Sequence, residues 1–576
     1  MAFLQFTEGA SHPPTASSIP KQLIPNIVDG LASIKPHGDF ALIPRSYTSY
    51  AEGYRRVTYR DLANAVNGVA WLLADKLGKD AERQALAYVG ANDIGYPIYA
   101  LGCVKAGHTL LSLAPRNTKE DHGALLQATG CKYILTPPPP YSPTVNAILD
   151  GAVEKPEIIH VPTTFELLER KSSHFPYPKT FASHKDEPLV MVHTSGTTGT
   201  PKLVTWSHAY AAAYSSWCQE PPPAGYENTV NFSRNRRNFT PFPFFHAGAM
   251  FITLIVSIVN QKTNVTPLAG VPPTAQGIVE ALKYVDIDVL HLPAPFAEQI
   301  SKSDELLDGA TKTITMVSYG GGDVSEACVN AWLSRGVNIA GFNGSTETSP
   351  YPLIRPLEGW KPEDAKYIQL HPIVNMQFRP TAVPDMFEAV LVKNTDERKI
   401  QPVFYIFPEL EEYHTKDLFS PHPSEADLWL YRGRADDMIN AASALMTNPI
   451  KFEQHMARQP DVAEALMVGS GRYQMALLVE PGDDAVSREE FVERIWPAVE
   501  EANAMYPEDC RVARSHVLVT DSGVPLRRAG KGTVQRAPSL ELYKERIDRL
   551  YETAGDGKAG ENGGIEPYKV HLSMNK

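Results

Sequence analysis

Residues Thr194, Ser195, Gly196, Thr197, Thr198, Gly199, Thr200, Pro201 and Lys202 form one segment of small hydroxylated side chains interleaved with glycine. Glycine lets a backbone turn tightly and approach a ligand closely, and the N–H and O–H groups of such a segment converge on phosphate oxygens. The segment follows the apolar run 189–192, which reads as a short buried strand. Lys202 comes after a proline and does not close a G-x-x-x-x-G-K-[ST] pattern, so this is not a Walker A loop. A Thr/Gly-rich surface turn would account for any four of these residues; it does not account for all nine behind a strand.

Five more segments carry chemistry farther along: Tyr319-Gly320-Gly321-Gly322-Asp323, Gly344-Ser345-Thr346-Glu347, Thr415-Lys416-Asp417, the run 431–437 with Arg434 and Asp436, and the run 530–536 around Lys531. Alone, each has an ordinary explanation. The glycine run suits a strand-to-helix turn, the Arg/Asp cluster a surface ion-pair network, and Lys531 a solvated surface charge. As an ordered set they resemble the adenylate-forming superfamily: acyl-CoA synthetases, luciferases and the adenylation domains of nonribosomal peptide synthetases. The resemblance extends from about residue 59 to 551.

It implies a use of ATP and Mg²⁺ and a role for each segment. Thr194, Ser195, Gly196, Thr197, Thr198, Gly199 and Lys202 would cradle phosphate, and Gly321, Gly322 and Asp323 would line the adenine pocket. Thr346 would contact the α-phosphate and Glu347 would hold Mg²⁺, a hard cation that takes oxygen ligands. Asp417 would accept both ribose hydroxyls, Arg434 would contact ribose or phosphate, and Asp436 would be the hinge between domains. Lys531, between two glycines, would neutralise charge as a carboxylate attacks phosphorus. The chain departs from the family pattern at Asn343, where an aromatic residue usually stacks on adenine, with Phe342 next to it. It departs again at Lys416, which replaces the usual glycine, and at 444–446, where Gly-Glu-Lys usually precedes Asn-Pro.

The run 242–248 resembles the family's substrate-pocket entry, with His246 beside the acyl group or, on the plainer view, as a core histidine. Amino-acid-activating relatives place an Asp where Ala247 stands, so the resemblance implies a neutral, aromatic acid in preference to an α-amino acid. Pocket shape depends on the distant segments 291–296, 318–322 and 342–345. The runs 415–419, 428–437 and 531–536 look most like adenylation domains of fungal synthetase-like enzymes, including aryl acid reductases. Three functions stay open: an adenylating domain that hands its acyl group to a phosphopantetheinyl carrier domain, a standalone ligase using CoA or an amine, and a non-catalytic nucleotide-binding homologue.

The elements that must position these residues follow from periodicity. Residues 59–76 show helical spacing through Leu62, Val66, Val69 and Leu73; 86–90 and 109–112 read as strands around a helix at 96–106. Such strand–helix–strand alternation indicates an α/β fold with parallel-type sheets. The apolar run 249–259 is too short to span a bilayer and reads as a buried helix. From about residue 436 the pattern changes to strands at 463–468, 475–479 and 514–518 and a charged helix at 488–505. The expected organisation is a large N-terminal adenylate-forming domain, 1–434, a small mobile C-terminal α+β domain, 435–551, and a flexible tail, 552–576. The formal charge of −12 argues against nucleic-acid and anionic-membrane partners. Five scattered cysteines suit reduced thiols of a cytoplasmic protein, and no signal peptide is read at the N-terminus.

Overall fold

The computed structural model describes residues 22–78, 82–115, 117–194, 201–230, 236–381, 383–440, 446–482, 487–529 and 532–554. Ser195 to Thr200, Gly530 and Lys531 of the expected site lie outside these, as do 441–445 and the tail beyond 554.

Local sequence accounts for the first long helix. Tyr59–Leu77 starts at a capping box in which the Thr58 hydroxyl accepts from the Asp61 N–H and the Asp61 carboxylate accepts from Thr58. Leu62, Val66, Val69 and Leu73 fall on one face and are all fully buried. The next helix, Gly95–Lys105, is buried all round, and its Lys105 is held by Asp29 at 2.7 Å and Asn67 at 2.8 Å. A buried ammonium demands such partners.

Two sheets carry the α/β character. The first has six strands in the order Glu157–His160, Tyr133–Thr136, Ala85–Tyr88, Thr109–Ser112, Pro188–Thr194 and Lys202–Ser207. All pairs are parallel except the last, which is a hairpin. The second has seven: Asn338–Gly341, Met316–Gly320, Val289–Pro293, Arg237–Phe239, Thr263–Val265, Asp39–Pro44 and Tyr54–Thr58. It too is parallel apart from its final pair.

A third seven-stranded sheet runs from Met376–Pro380 to Tyr226–Asn228 and is antiparallel throughout. The expectation of parallel-type sheets missed it, because its strands alternate and are joined by turns, not by helices. It carries Asp417 and Arg434 on neighbouring strands. Residues 462–519 hold a separate three-stranded sheet, Val462–Val468, Met475–Pro481 and Val512–Val519, covered by the helix Arg488–Ala504 and with its own apolar cluster. The five cysteines are buried and unbridged. Among the described residues no helix is long and apolar enough to cross a membrane.

The expected buried helix at 249–259 departs from α-geometry. Ala247–Met250 is α-helical, Phe251–Val256 is a π-helix and Ser257–Asn260 returns to α. A π-segment turns successive side chains out of the 3.6-residue register and is found mostly at functional sites. This one lies against a cavity.

Candidate active site

Thr194 and Lys202 close the first sheet's edge hairpin as register partners, so the glycine-rich segment between them leaves and re-enters that edge. Lys202 is exposed. His193, the preceding residue, is half-buried, and its Nε2 accepts from the Ala114 N–H at 3.1 Å. Burial pushes this imidazole down to about 4, so it stays neutral.

The 344–349 turn is fixed by its own side chains. The Ser345 hydroxyl accepts from the N–H groups of Glu347 and Thr348 at 3.2 Å, and the Thr348 hydroxyl accepts from the Ser345 N–H at 2.9 Å. Gly344 is required: its φ is +154°, and a Cβ there would lie 2.3 Å from the Ser349 carbonyl oxygen. From outside the turn, the Thr346 carbonyl accepts from Trp206 Nε1 at 2.8 Å and from the Tyr210 hydroxyl at 3.1 Å. Those two rings stack 5.3 Å apart. With its carbonyl held, Thr346 keeps its hydroxyl for another partner, and the Glu347 carboxylate stands half-buried beside it.

Asp417 and Arg434 face each other across neighbouring strands. Arg434 donates to the Asp417 carboxylate and the Thr415 carbonyl, at 3.5 and 3.4 Å, and to Asp436 at 3.3 Å. Burial pushes the Asp417 carboxyl up to about 7; Arg434 opposes this, while Asp436, Asp437 and Glu347 add to it. The field of Glu347 at Asp417 places the two in one cluster. Lys416 sits between Thr415 and Asp417 with φ +63°, a left-handed backbone that favours glycine. That geometry explains why the family has glycine here; this chain gains an ion pair from Lys416 to Asp436, at 3.2 Å.

The Gly321–Asp323 turn is engaged otherwise than the resemblance implies. Lys366 donates to Asp323 at 2.8 Å, and Gln454 reaches the same carboxylate at 3.5 Å. Beside it, Arg458 donates to Glu298 at 2.9 Å and Ser325 at 2.8 Å. The helix Ile450–Ala457 and the residue after it therefore rest on this turn. Gly321 and Gly322 are exposed. Asn343 is half-buried, and its carbonyl accepts from the Tyr351 N–H at 2.8 Å. Phe342, the neighbouring ring, turns onto the second sheet. It packs so closely on Gly320 that a Cβ there would meet the ring at 2.5 Å, and it faces Phe242 and His291.

Phe342 is instead a wall of a cavity of about 920 Å³, open mouth included. Its floor is one face of the second sheet. Asn238, Val289, His291, Met316, Ser318 and Ala340 line it, each two residues apart along its strand or in register across strands. The alternate residues Leu290, Leu292, Val317, Tyr319 and Ile339 pack into the core behind. Tyr214 and the π-helical Phe251 and Ile252 close the top. Asn238 donates its amide to the Arg236 carbonyl at 2.7 Å, so its oxygen accepts from His291 Nε2 at 3.0 Å. Burial, with Lys262 nearby, pushes His291 down to about 3 and keeps it neutral.

His246 is not among the residues lining this cavity. Its Nδ1 accepts from the Gly248 N–H at 3.0 Å and caps the helix that becomes the π-segment, and the residue is half-buried, not in the core. The sequence reasoning missed Trp206, Tyr210, Asn238 and Lys262; the first two precede or open a helix eight or fewer residues after the glycine-rich segment, and nothing in their spacing marks them.

The AMP-binding enzyme family matches residues 37–377, and the AMP-binding enzyme C-terminal domain matches 436–555. A carboxylic acid reductase of Neurospora crassa is 30% identical over 94% of this chain and 51% of its own length. An isocyanide synthase–NRPS hybrid of Aspergillus fumigatus is 28% identical over 94% of the chain and 34% of its own. An adenylate-forming reductase of Serpula lacrymans is 26% identical over 96% and 51%. The chain thus spans about half the length, or less, of these curated relatives. Among solved structures, an anthranilate CoA ligase superposes with a TM-score of 0.70 at 14% identity, over 93% of this chain and 100% of that one. A benzoate CoA ligase of Burkholderia xenovorans does so at 0.66 and 16%, over 89% and 99%.

Proposed function

The chain belongs to the AMP-binding enzyme family and is an acid-adenylating enzyme, and from that premise we propose that it activates an aryl or other non-amino acid. The observation that carries this is the cavity itself. It runs from Gly341 and Phe342, at the foot of the Thr346–Glu347 turn, along a sheet face between aromatic walls. A carboxylate at its mouth would lie beside the turn that handles phosphate. Among the described residues lining it none is Asp or Glu, so an α-ammonium would find no counter-charge.

In the proposed reaction a carboxylate oxygen attacks the α-phosphorus of ATP, the bond from that phosphorus to the bridging oxygen breaks, and pyrophosphate leaves. Thr346 donates its hydroxyl to the α-phosphate. Glu347 would hold Mg²⁺, whose charge would offset that of the phosphates. One carboxylate fits such an ion, which is held largely by its nucleotide; among the described residues there is no cluster of three or more ligating side chains. Asp417, when ionised, accepts both ribose hydroxyls, and Arg434 favours that charged form against the effect of burial. The Thr194–Lys202 segment cradles the outer phosphates, Gly321 and Gly322 admit the flat base, and Lys531 neutralises the developing charge.

We place the division between a large and a small domain at 434/435, with Asp436 as hinge; the helix Lys544–Ala554 runs past the expected tail start at 552, so the tail follows it. Rotation about Asp436 would withdraw Lys531 and admit a phosphopantetheine thiol of a carrier domain, which takes the acyl group. The adenylate-forming reductases among the relatives favour this acceptor; CoA or an amine is the alternative. The test is acid-dependent ATP–pyrophosphate exchange over benzoates, cinnamates, aliphatic acids and amino acids. Exchange with aryl acids and none with amino acids supports the proposal; the reverse overturns it.

A further inference from the structure

One level of the cavity floor is polar at one side and small at the other. His291, Ser318 and Ala340 are register partners on three adjacent strands, and all three line the cavity. Side chains alternate along a strand, so Leu290 and Leu292 enter the core while His291 between them faces the cavity.

Asn238 decides which ring nitrogen of His291 carries the proton. Its amide nitrogen donates to the Arg236 carbonyl at 2.7 Å, which leaves its oxygen to receive the His291 Nε2–H at 3.0 Å. The ring is neutral, so Nδ1 keeps its lone pair. Among the described residues nothing donates to Nδ1. Nor is it enclosed by protein, as the unpaired nitrogens of His122 and His208 are. Phe342 stands nearly perpendicular to the imidazole, 6.5 Å away, and supplies no donor. Ser318, beside His291 in register, adds a hydroxyl that can donate or accept.

Gly341 lies two strands from His291 and one residue along, about 10 Å at about 4.8 Å between strands and about 3.3 Å per residue. An aryl acid with its carboxylate at Gly341–Phe342 would lie over the small side chains of Ala340 and Ser318. Its ring edge away from the carboxylate would then meet His291.

Resting on the proposed adenylation, we infer that the substrate is an aryl acid with a hydroxyl on the ring edge away from its carboxylate, and that His291 selects it by accepting that hydroxyl's hydrogen bond. An unsubstituted ring would strip water from Nδ1 and the Ser318 hydroxyl and give nothing back, which costs affinity. A methoxy group there brings an oxygen but no proton to donate. A hydroxyl next to the carboxylate would lie over Ala340, out of reach of His291.

The experiment compares pyrophosphate exchange by the full chain with benzoates and cinnamates, each unsubstituted, 2-, 3- or 4-hydroxylated, or 4-methoxylated. The inference expects kcat/KM higher by about tenfold or more for a 3- or 4-hydroxy acid than for its parent, with no gain for the 2-hydroxy and 4-methoxy acids. His291→Phe, which keeps a flat ring but removes the acceptor, should bring that ratio near one. His291→Gln, which can donate to Asn238 and still accept, should retain part of it. Thermal melts with and without ATP check that each variant folds; if His291→Phe does not, the wild-type ratios and His291→Gln decide. A hydroxy-to-parent ratio near or below one, an equal gain from methoxy, or an undiminished ratio in His291→Phe overturns this inference and leaves adenylation standing. Exchange confined to acids without an aryl ring overturns it together with the aryl reading. Exchange with no acid at all overturns the proposed function as well.

Discussion

The turn at 344–349 is held by side-chain hydrogen bonds among residues two or three apart, whereas the cavity floor takes one or two side chains from each of four strands. The nucleotide side is local chemistry. Its Gly344, Ser345 and Thr348 specify one backbone path that presents Thr346 and Glu347, and Trp206 and Tyr210 hold that path from outside. The acyl side is long-range geometry: residues 238, 262, 291, 318 and 340 meet only because the sheet's register brings them to one face. A site of this kind can keep one reaction through its local turns while changing its acid through the sheet face.

The largest effect that would sharpen this contrast belongs to Lys531. Lys531→Ala should slow adenylation by about 10²–10³-fold with an unchanged melting temperature, the scale of losing one positioned charge-stabilising group. Unchanged exchange would remove Lys531 from the chemistry. Glu347→Gln should cost on the order of 10²-fold and shift the Mg²⁺ titration of activity to higher concentration. A loss with no shift in that titration would give Glu347 another role.

Next comes pH. The Asp417 carboxyl, raised to about 7, is protonated at pH 6 and ionised at pH 8, and only the ionised form accepts from both ribose hydroxyls. Nucleotide affinity should therefore rise by about tenfold from pH 6 to 8 beyond any rise in Asp417→Asn, measured by calorimetry. Parallel profiles in the two proteins would show that Asp417 is not the titrating group.

The smallest effect tests the departure at Lys416. Replacing it by glycine relieves the left-handed strain at φ +63° and loses a half-exposed ion pair to Asp436. These offset, so Lys416→Gly should stay within about 1 kcal/mol of the parent in thermal stability. A larger loss would make the Lys416–Asp436 contact a structural clamp on the strand leading to residue 436.

What could be read from the sequence follows the same division. The helix at 59–77 and the strands at 109–112 and 475–481 follow from period and capping, and the nucleotide motifs stand in single segments. The antiparallel sheet that pairs Asp417 with Arg434 was not legible, since seventeen residues separate the pair and the register that joins them is set by strand pairing, not by a motif. Nor was the inward turn of Phe342, which depends on Gly320 lying against it. His246 shows the limit of motif reasoning: its place in the run was read correctly, but its Nδ1 is committed to the helix N-terminus. Lys262 carried no signal at all, because a lone lysine after an apolar run looks like any helix end.

The most direct test of the central claim is a single-turnover reaction of the full chain with ATP, Mg²⁺ and a cognate acid, without acceptor, analysed by mass spectrometry. The account predicts acid-dependent acyl-AMP and pyrophosphate in equal amounts, approaching one equivalent per chain. Formation of ADP and phosphate, or nucleotide turnover indifferent to the acid, would contradict it.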